Sequence, residues 1–174
     1  MVVIAITGSP AVGKSTISDL LAGHGWKVES VAELAKSLDC EGEYDDLMGC
    51  VEIDIHKLAE KFVPSLDDNI IVDGHLSHFL EVDAIIILRC EPTKLRNRLE
   101  SRGYLEAKVN ANVEWELIGG TWSEIAEFEI DVPILELDTT TSTAEELVEM
   151  VNFWIEGDFT SNLTMISDAI DWLA

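Results

Sequence analysis

The sequence predicts an α/β fold in which a five-stranded parallel sheet carries helices on both faces. Five short apolar runs, most of them rich in β-branched residues, have the length and composition of buried strands. Segments with apolar residues at helical spacing separate these runs, and strands that alternate with helices form parallel sheets. The first strand leads into a glycine-rich loop and then a helix, at the edge where such sheets bind their ligands.

In the first half of the chain, apolar residues recur three or four positions apart in each predicted helix. The first helix has Ile17, Leu20 and Leu21 on one face, and the third is stopped by Pro64, which cannot continue a helix. The acidic stretch after the second helix lacks the spacing of an EF-hand, so we expect a solvated loop there. The predicted elements are a strand at 2–7, a helix at 16–22, a strand at 26–29, a helix at 31–38, the loop at 39–46, a helix at 55–63 and a strand at 69–73.

The second half begins with an apolar strand at 84–88 and a long helical region at 93–118, in which Gly103 is the expected break. The pair Gly119-Gly120 is a second break. A helix at 122–128 and a strand at 132–137 follow, and Pro133 is tolerated because it stands at the start of that strand. Two final helices are predicted at 143–155 and at about 163–172, with Gly157 between them.

The glycine-rich loop matches the phosphate-binding pattern G-x-x-x-x-G-K-[ST] at every position, as Gly8-Ser9-Pro10-Ala11-Val12-Gly13-Lys14-Ser15. Backbone N–H groups of such a loop and of the following helix N-terminus point at phosphates. Lys14 would reach the β- and γ-phosphates, and the hydroxyl of Ser15 would ligate Mg²⁺. The alternative is a glycine-rich strand–helix turn that arose by chance.

Three further polar residues are expected at the same edge of the sheet. Asp73 ends an apolar strand, where P-loop proteins hold Mg²⁺ through an acidic residue, although an Asp in an ordinary turn gives the same pattern. His75 either orients water or a phosphate, or satisfies a hydrogen bond of the turn. Arg89 directly follows a buried strand, which puts it within reach of a phosphate.

Arg98 and Arg102 stand four residues apart and therefore share one face of a helix. Such a pair can present one guanidinium to a nucleobase and the other to a phosphate. A salt-bridged surface helix, with Glu100 and Glu106 nearby, is the alternative, and the spacing by itself favours it. Residues 138–140 follow the last strand and either contribute to an adenine pocket or cap the next helix.

The net charge of the chain indicates which kinds of partner it can bind. Its 34 acidic and 11 basic residues give a formal net charge of −23, which repels DNA and anionic membranes. Two interpretations remain open: a solvated acidic surface suited to a cytoplasm of high salt, and an acidic face for a basic partner. Six of the eleven basic residues lie between Arg89 and Lys108, where an acidic protein that binds ATP would concentrate its cations.

Length and composition indicate one domain in the cytoplasm. A chain of 174 residues can bury one core, and it has no run of 18 apolar residues that would span a membrane. The three cysteines, Cys40, Cys50 and Cys90, form no C-x-x-C pair, which is typical of free thiols in a reducing compartment.

Beyond these patterns, the sequence resembles a known family over roughly residues 1–156. The resemblance rests on the phosphate-binding loop, Val72-Asp73-Gly74-His75, Leu88-Arg89 and Arg98-Leu99-Glu100-Ser101-Arg102-Gly103-Tyr104, with Lys108, Asn112 and Glu116 downstream. These residues resemble the adenylate kinase family of archaea and of the eukaryotic nucleus, which acts in maturation of the small ribosomal subunit.

The resemblance implies a P-loop fold of the nucleoside monophosphate kinase type, with a monophosphate-binding insertion at about 30–63 and a short lid at about 99–112. It implies ATP:AMP phosphotransfer with Mg²⁺, slow ATP hydrolysis and binding of a basic ribosomal protein of the small subunit. An alternative within the family is an ATP-driven assembly factor for which AMP phosphorylation is incidental.

The family's functional residues carry over by position. Asp73 and His75 match the metal-side motif, Arg98 the adenine-stacking lid arginine and Arg102 the phosphate-binding one. Lys36, on the helix that matches the AMP-binding helix, stands where relatives often have arginine; it keeps the charge but loses the bidentate fork. The residues expected to bind the ATP phosphates and Mg²⁺ are Gly8, Ser9, Pro10, Ala11, Val12, Gly13, Lys14, Ser15 and Thr16.

Overall fold

A computed structural model describes residues 1–160 and 169–174 of the chain. Its main sheet is five-stranded and entirely parallel, in the order β2–β5–β1–β6–β7, as the sequence predicts. In the central strand, Ile6 lies opposite both Asp73 and Ile86, so β5 ends within one residue of the end of β1, whereas β6 continues to Arg89, two residues further. The strands are β1 Val3–Thr7, β2 Lys27–Ser30, β5 Ile70–Asp73, β6 Ala84–Arg89 and β7 Ile134–Asp138.

Helices cover both faces of this sheet because successive side chains of a strand point to opposite sides. Ile4, Ile6 and Leu88 face one core together with α1, α4, α5 and α7, whereas Val3 and Ala5 face the other side with α2, α3 and α6. The helices are α1 Lys14–Gly23, α2 Val31–Ser37, α3 Ile55–Lys61, α4 Pro92–Ser101, α5 Glu106–Leu117, α6 Gly120–Glu127 and α7 Ala144–Glu156.

The predicted break in the long helical region is confirmed. Helix α4 ends at Ser101, and Gly103 adopts a φ of 73°, which is accessible to glycine and strained for most other residues. The chain then re-enters a helix at Glu106. Arg102 therefore lies at the turn between α4 and α5, at the edge of the sheet where the phosphate-binding loop lies.

One local prediction is wrong. The stretch 39–46 is not a loop: β3 Glu41–Asp45 pairs antiparallel with β4 Cys50–Ile53 in an exposed hairpin. A hairpin that buries neither face has no need of alternating apolar residues, so its sequence lacks the usual strand pattern. The short 3₁₀ helix at Ser77–Phe79 is an addition that periodicity did not indicate.

The end of the chain is only partly covered. The helix predicted at about 163–172 falls mainly on residues outside the described ranges, and 169–174 form bends and turns. Helix α7 begins as expected, because Thr143 and Glu146 form a reciprocal capping box. Cys40, Cys50 and Cys90 are free thiols, as their number and spacing predict. Within the described ranges, no helix has the length and apolar character needed to cross a membrane.

The charge of −23 predicts that salt stabilises the fold. Repulsion among the carboxylates opposes the compact state, and ions screen that repulsion. We expect the free energy of unfolding, measured in urea, to rise as KCl is increased from about 0.1 M to about 2 M. Over this range the Debye length falls from about 10 Å to below about 3 Å, so repulsion between neighbouring carboxylates is screened. Sucrose, which favours burial without screening charge, is the control and should stabilise less. Equal stability at low and high KCl would contradict the prediction.

Candidate active site

The phosphate-binding loop is packed against the end of β6. A Cβ on Gly8 would lie 2.3 Å from the carbonyl oxygen of Leu88, and Gly8 has a φ of 127°, so only glycine fits here. The ammonium of Lys14 donates to the carbonyl oxygens of Gly8 and Ser9, each at 2.9 Å. The loop is therefore closed around its own lysine, with the lysine head at the centre.

Ser15 and Asp73 present two adjacent oxygens beside this loop. The hydroxyl of Ser15 donates to Asp73 Oδ2 at 2.9 Å. Neighbouring oxygen ligands of an octahedral Mg²⁺, each at 2.0–2.1 Å from the ion, are separated by about 2.9 Å. The spacing of the pair fits two positions of a magnesium shell, and the metal role of these two residues stays a prediction. The described residues hold no cluster of three or more His, Cys, Asp or Glu side chains, so phosphates and water would complete such a shell.

On one side of the loop, a cavity of about 470 Å³ opens beside Arg98. The Arg98 guanidinium donates to the carbonyl oxygen of Thr139 at 2.7 Å and to the Thr139 hydroxyl at 3.1 Å. These bonds hold it against the loop, where it lies 3.5 Å from the carbonyl oxygens of Ala11 and Val12. The walls are Ala11, Val12, Gly13, Thr16, Ile17, Arg98, Ser101, Arg102, Thr139, Ser142, Ala144 and Leu147.

On the other side, a cleft of about 560 Å³ lies between the loop, helix α5 and the β3–β4 hairpin. Its cations are Lys14, Arg102 and Lys108, and Lys108 is held 4.5 Å above the ring of Tyr104. Arg102 lines both cavities. The other walls of the cleft are Pro10, Ala11, Gly13, Ser15, Thr16, Ser30, Val31, Ala32, Met48, Cys50, Ile53, Asp73, Gly74, His75 and Asn112.

The protein surroundings shift the pKa values of three ionisable groups near the loop, Lys14, Asp73 and His75. Desolvation lowers the pKa of Lys14 to about 8; Arg102 also lowers it, while Asp73 and Glu116 raise it. Burial raises the pKa of Asp73 above its usual range. His75 lines the cleft, but desolvation by the cleft walls and the charge of Lys14 lower its pKa to about 4, so it is neutral at pH 7.

The structure places two predicted site residues away from the cavities. Arg89 is buried, and its guanidinium donates to Glu116 Oε1 at 2.6 Å and to Glu136 Oε1 at 2.7 Å. The expected reach toward phosphate fails because these carboxylates, unforeseen from the sequence, engage the guanidinium. Lys36 is exposed on α2 and lines neither cavity of the described chain.

The remaining predicted residues do gather around the loop. Thr139 lines the cavity beside Arg98, and α7 is capped by Thr143, which lies outside 138–140, so the capping interpretation of that segment is wrong. The hairpin belongs to the insertion at about 30–63 that the family resemblance assigns to monophosphate binding, and its Met48, Cys50 and Ile53 form part of the cleft wall. No pattern in the acidic stretch pointed to these apolar residues.

Comparison with known proteins gives two kinds of match. A family model described as an AAA domain matches residues 4–119. A relative from Archaeoglobus fulgidus, named "Putative adenylate kinase", is 39% identical over 171 residues, covering 98% of this chain and 92% of that protein. A relative of the same name from Pyrococcus abyssi is 41% identical over 150 residues, covering 85% of this chain and 81% of its own length.

Solved structures support the fold. A deoxyadenosine kinase from M. mycoides, solved with dCMP and dCDP bound, matches 90% of this chain and 99% of that chain with a TM-score of 0.59. The sequence identity is 19%, so this likeness concerns the fold alone.

The lowered pKa of Lys14 predicts that nucleotide binding takes up a proton. A bound phosphate favours the charged ammonium and raises its pKa above about 8, so affinity falls as pH rises above 8 and is insensitive to this group well below it. Calorimetry with Mg²⁺-free ADP, in buffers that differ in ionisation enthalpy, measures this uptake at about pH 8.5, between the two pKa values.

The matched control is Lys14→Arg, because a guanidinium stays charged throughout this range. We expect little proton uptake and a flat pH profile in that variant. Identical apparent heats in all buffers for the unsubstituted protein would show that Lys14 is already charged, contrary to the prediction.

Proposed function

We propose, from the premise that this chain belongs to the archaeal adenylate kinase family, that it transfers the γ-phosphoryl group of ATP to AMP. The observation that carries the proposal is the pair of cavities that share the phosphate-binding loop as a wall, with Lys14 lining the cleft beside the hairpin and Arg102 lining both cavities. A kinase needs a donor site and an acceptor site that meet at the transferred group.

The cavity beside Arg98 suits the ATP base. The Arg98 guanidinium is fixed by Thr139, and a planar cation held in this way can stack on a purine. The backbone of the loop leads from this cavity to Lys14, along the path that the triphosphate would follow. Adenine itself would be recognised mainly by backbone groups, which leaves the base preference to experiment.

The cleft beside the hairpin suits the monophosphate. Lys14, Arg102 and Lys108 supply positive charge, which offsets the charge on the donor and acceptor phosphates and on the transferred group. The acceptor oxygen of AMP belongs to an anionic phosphate, so transfer requires no side chain to remove a proton. Neutral His75 can hydrogen-bond a phosphate or water without adding charge.

Mg²⁺ belongs to the same proposal. Ser15 and Asp73 would hold the ion. The 2.9 Å distance between the Ser15 hydroxyl oxygen and Asp73 Oδ2 fits two neighbouring ligands of Mg²⁺. The ion would supply charge neutralisation on the phosphate oxygens. Lys14, whose ammonium is oriented by the carbonyl oxygens of Gly8 and Ser9, would contact the γ-phosphate directly and position it together with the ion.

A second candidate function is ATP-driven assembly of a ribosomal particle, with hydrolysis of ATP and a basic ribosomal protein as partner. The observation that favours it is the net charge of −23, which attracts a basic protein and suits no nucleic acid. A cytoplasmic location belongs to either candidate. The two functions share the nucleotide site and differ in whether AMP is a substrate.

Product analysis with Mg-ATP separates these candidates. A kinase forms ADP only when AMP is present, with two ADP for each ATP consumed, and Lys14→Ala abolishes this turnover. Release of inorganic phosphate that is indifferent to AMP would establish the second candidate in its place. Unchanged turnover in Lys14→Ala would show that the loop is not the site of transfer.

Arg98→Ala tests the assignment of the donor cavity. Loss of a stacked, hydrogen-bonded guanidinium should raise the KM for ATP about tenfold with a smaller effect on the KM for AMP. Arg96→Ala is the matched control on the same helix, because Arg96 bonds Asn110 and lines neither of the two cavities. Equal effects of the two substitutions on the KM for ATP would refute the assignment.

A further inference from the structure

Glu116 is a buried carboxylate that contacts the phosphate-binding loop from outside the nucleotide cavities. It lies near the end of α5 and is 3% exposed. Its Oε2 accepts a hydrogen bond from the hydroxyl of Ser9 at 2.8 Å, and its Oε1 accepts from the Arg89 Nε at 2.6 Å. One side chain thus joins the loop, the end of β6 and the helix that follows the Arg102 turn.

Two more donors complete the surroundings of this carboxylate. The backbone N–H of Cys90 lies 3.3 Å from Oε1, and the indole N–H of Trp172 lies 3.0 Å from the same atom. The Arg89 guanidinium also donates to the backbone oxygen of Glu116 at 2.9 Å. A buried charge is tolerated only when it is paired and hydrogen-bonded, and here both conditions are met.

Ser9 connects Glu116 to the reacting end of the site. The Ser9 hydroxyl donates to Glu116, while its carbonyl oxygen accepts from the Lys14 ammonium at 2.9 Å. The position of one loop residue therefore governs both contacts. If the hydroxyl is released, the carbonyl that orients Lys14 loses its anchor.

Stability alone does not account for this arrangement. A buried ion pair is weak support for stability, since apolar side chains of similar size often serve as well. An apolar side chain could not, however, hold the hydroxyl of Ser9. We propose that Glu116 is a positioning residue, whose carboxylate holds Ser9 and thereby pre-orders the phosphate-binding loop and Lys14 for nucleotide.

Glu136 provides a matched comparison inside the same network. It is equally buried at the side chain, and it also accepts from Arg89, at 2.7 Å. Its other donors are the Trp122 indole and the backbone N–H of Ile170, each at 2.7 Å. Among the described residues it forms no hydrogen bond with the loop. A purely structural role predicts equal consequences for the two carboxylates, whereas a positioning role predicts unequal ones.

The test measures ADP affinity by calorimetry, and the KM for ATP against kcat, in E116Q, S9A, the double variant and E136Q. Ordering about one extra loop residue on binding costs roughly tenfold in affinity. We expect E116Q and S9A each to weaken ADP binding about tenfold, and the double variant to bind no more weakly than E116Q. E136Q should keep its ADP affinity within about twofold, whatever its loss of resistance to urea.

Two results would overturn the proposal. One is an equal loss of ADP affinity in E116Q and E136Q. The other is a loss of ADP affinity in the double variant that equals the product of the losses in S9A and E116Q. If E116Q does not fold, S9A decides alone, since it removes the same hydrogen bond at the loop; unchanged ADP affinity in S9A then refutes the role of Glu116. The inference rests on the proposed function only in requiring that the loop bind a nucleotide. A protein that binds ADP but leaves AMP unphosphorylated would contradict the function and not this role.

Discussion

The close approach of the phosphate-binding loop to the end of β6 is the constraint on which the site depends. At Gly8 the loop backbone leaves no room for a side chain against Leu88, so the strand end fixes where the loop begins. The loop then fixes Lys14 through its carbonyl oxygens. The parallel register places Asp73 of β5 opposite Ile6, next to the end of β1 from which the loop continues. The sheet thus sets the positions of Lys14 and Asp73, the groups proposed to bind phosphate and Mg²⁺.

Charge distribution explains how a strongly acidic protein can bind polyanionic nucleotides. Only some of the cations between Arg89 and Lys108 face the cavities: Arg98, Arg102 and Lys108 line them, together with Lys14. Arg89 forms ion pairs with the buried carboxylates of Glu116 and Glu136, which neutralise its charge. Four basic side chains thus meet at the cavities of a chain whose formal net charge is −23, which favours anion binding at this place.

Much of this fold could be predicted from the sequence, because parallel strands and the phosphate-binding loop are encoded locally. The alternation of apolar runs and helical spacing gave the five strands, and a single glycine marked the break between α4 and α5. The hairpin β3–β4 escaped prediction because an exposed pair of strands needs no apolar pattern. The Arg89–Glu116–Glu136 cluster escaped because it joins residues whose proximity depends on how α5 and β7 pack, which no sequence spacing records.

The same distinction applies within the site. Lys14, Ser15 and Asp73 were predicted because their roles follow from a fixed motif and a strand end. Lys36 and Arg89 were assigned to substrate binding by residue type and position. In the structure Lys36 is exposed, Arg89 is buried, and neither lines the two cavities. Glu116 is among the residues that carry the family resemblance, but no role was predicted for it, and only its hydrogen bond with Ser9 reveals a connection to the loop.

The central claim is that donor and acceptor nucleotides occupy the two cavities together. A dinucleotide in which a chain of phosphates joins two adenosines tests it most directly, since it can fill both sites only if they meet at the loop. The account predicts that one molecule binds per chain and competes with both ATP and AMP. Competition with ATP alone, with AMP still able to bind beside the inhibitor, would contradict it.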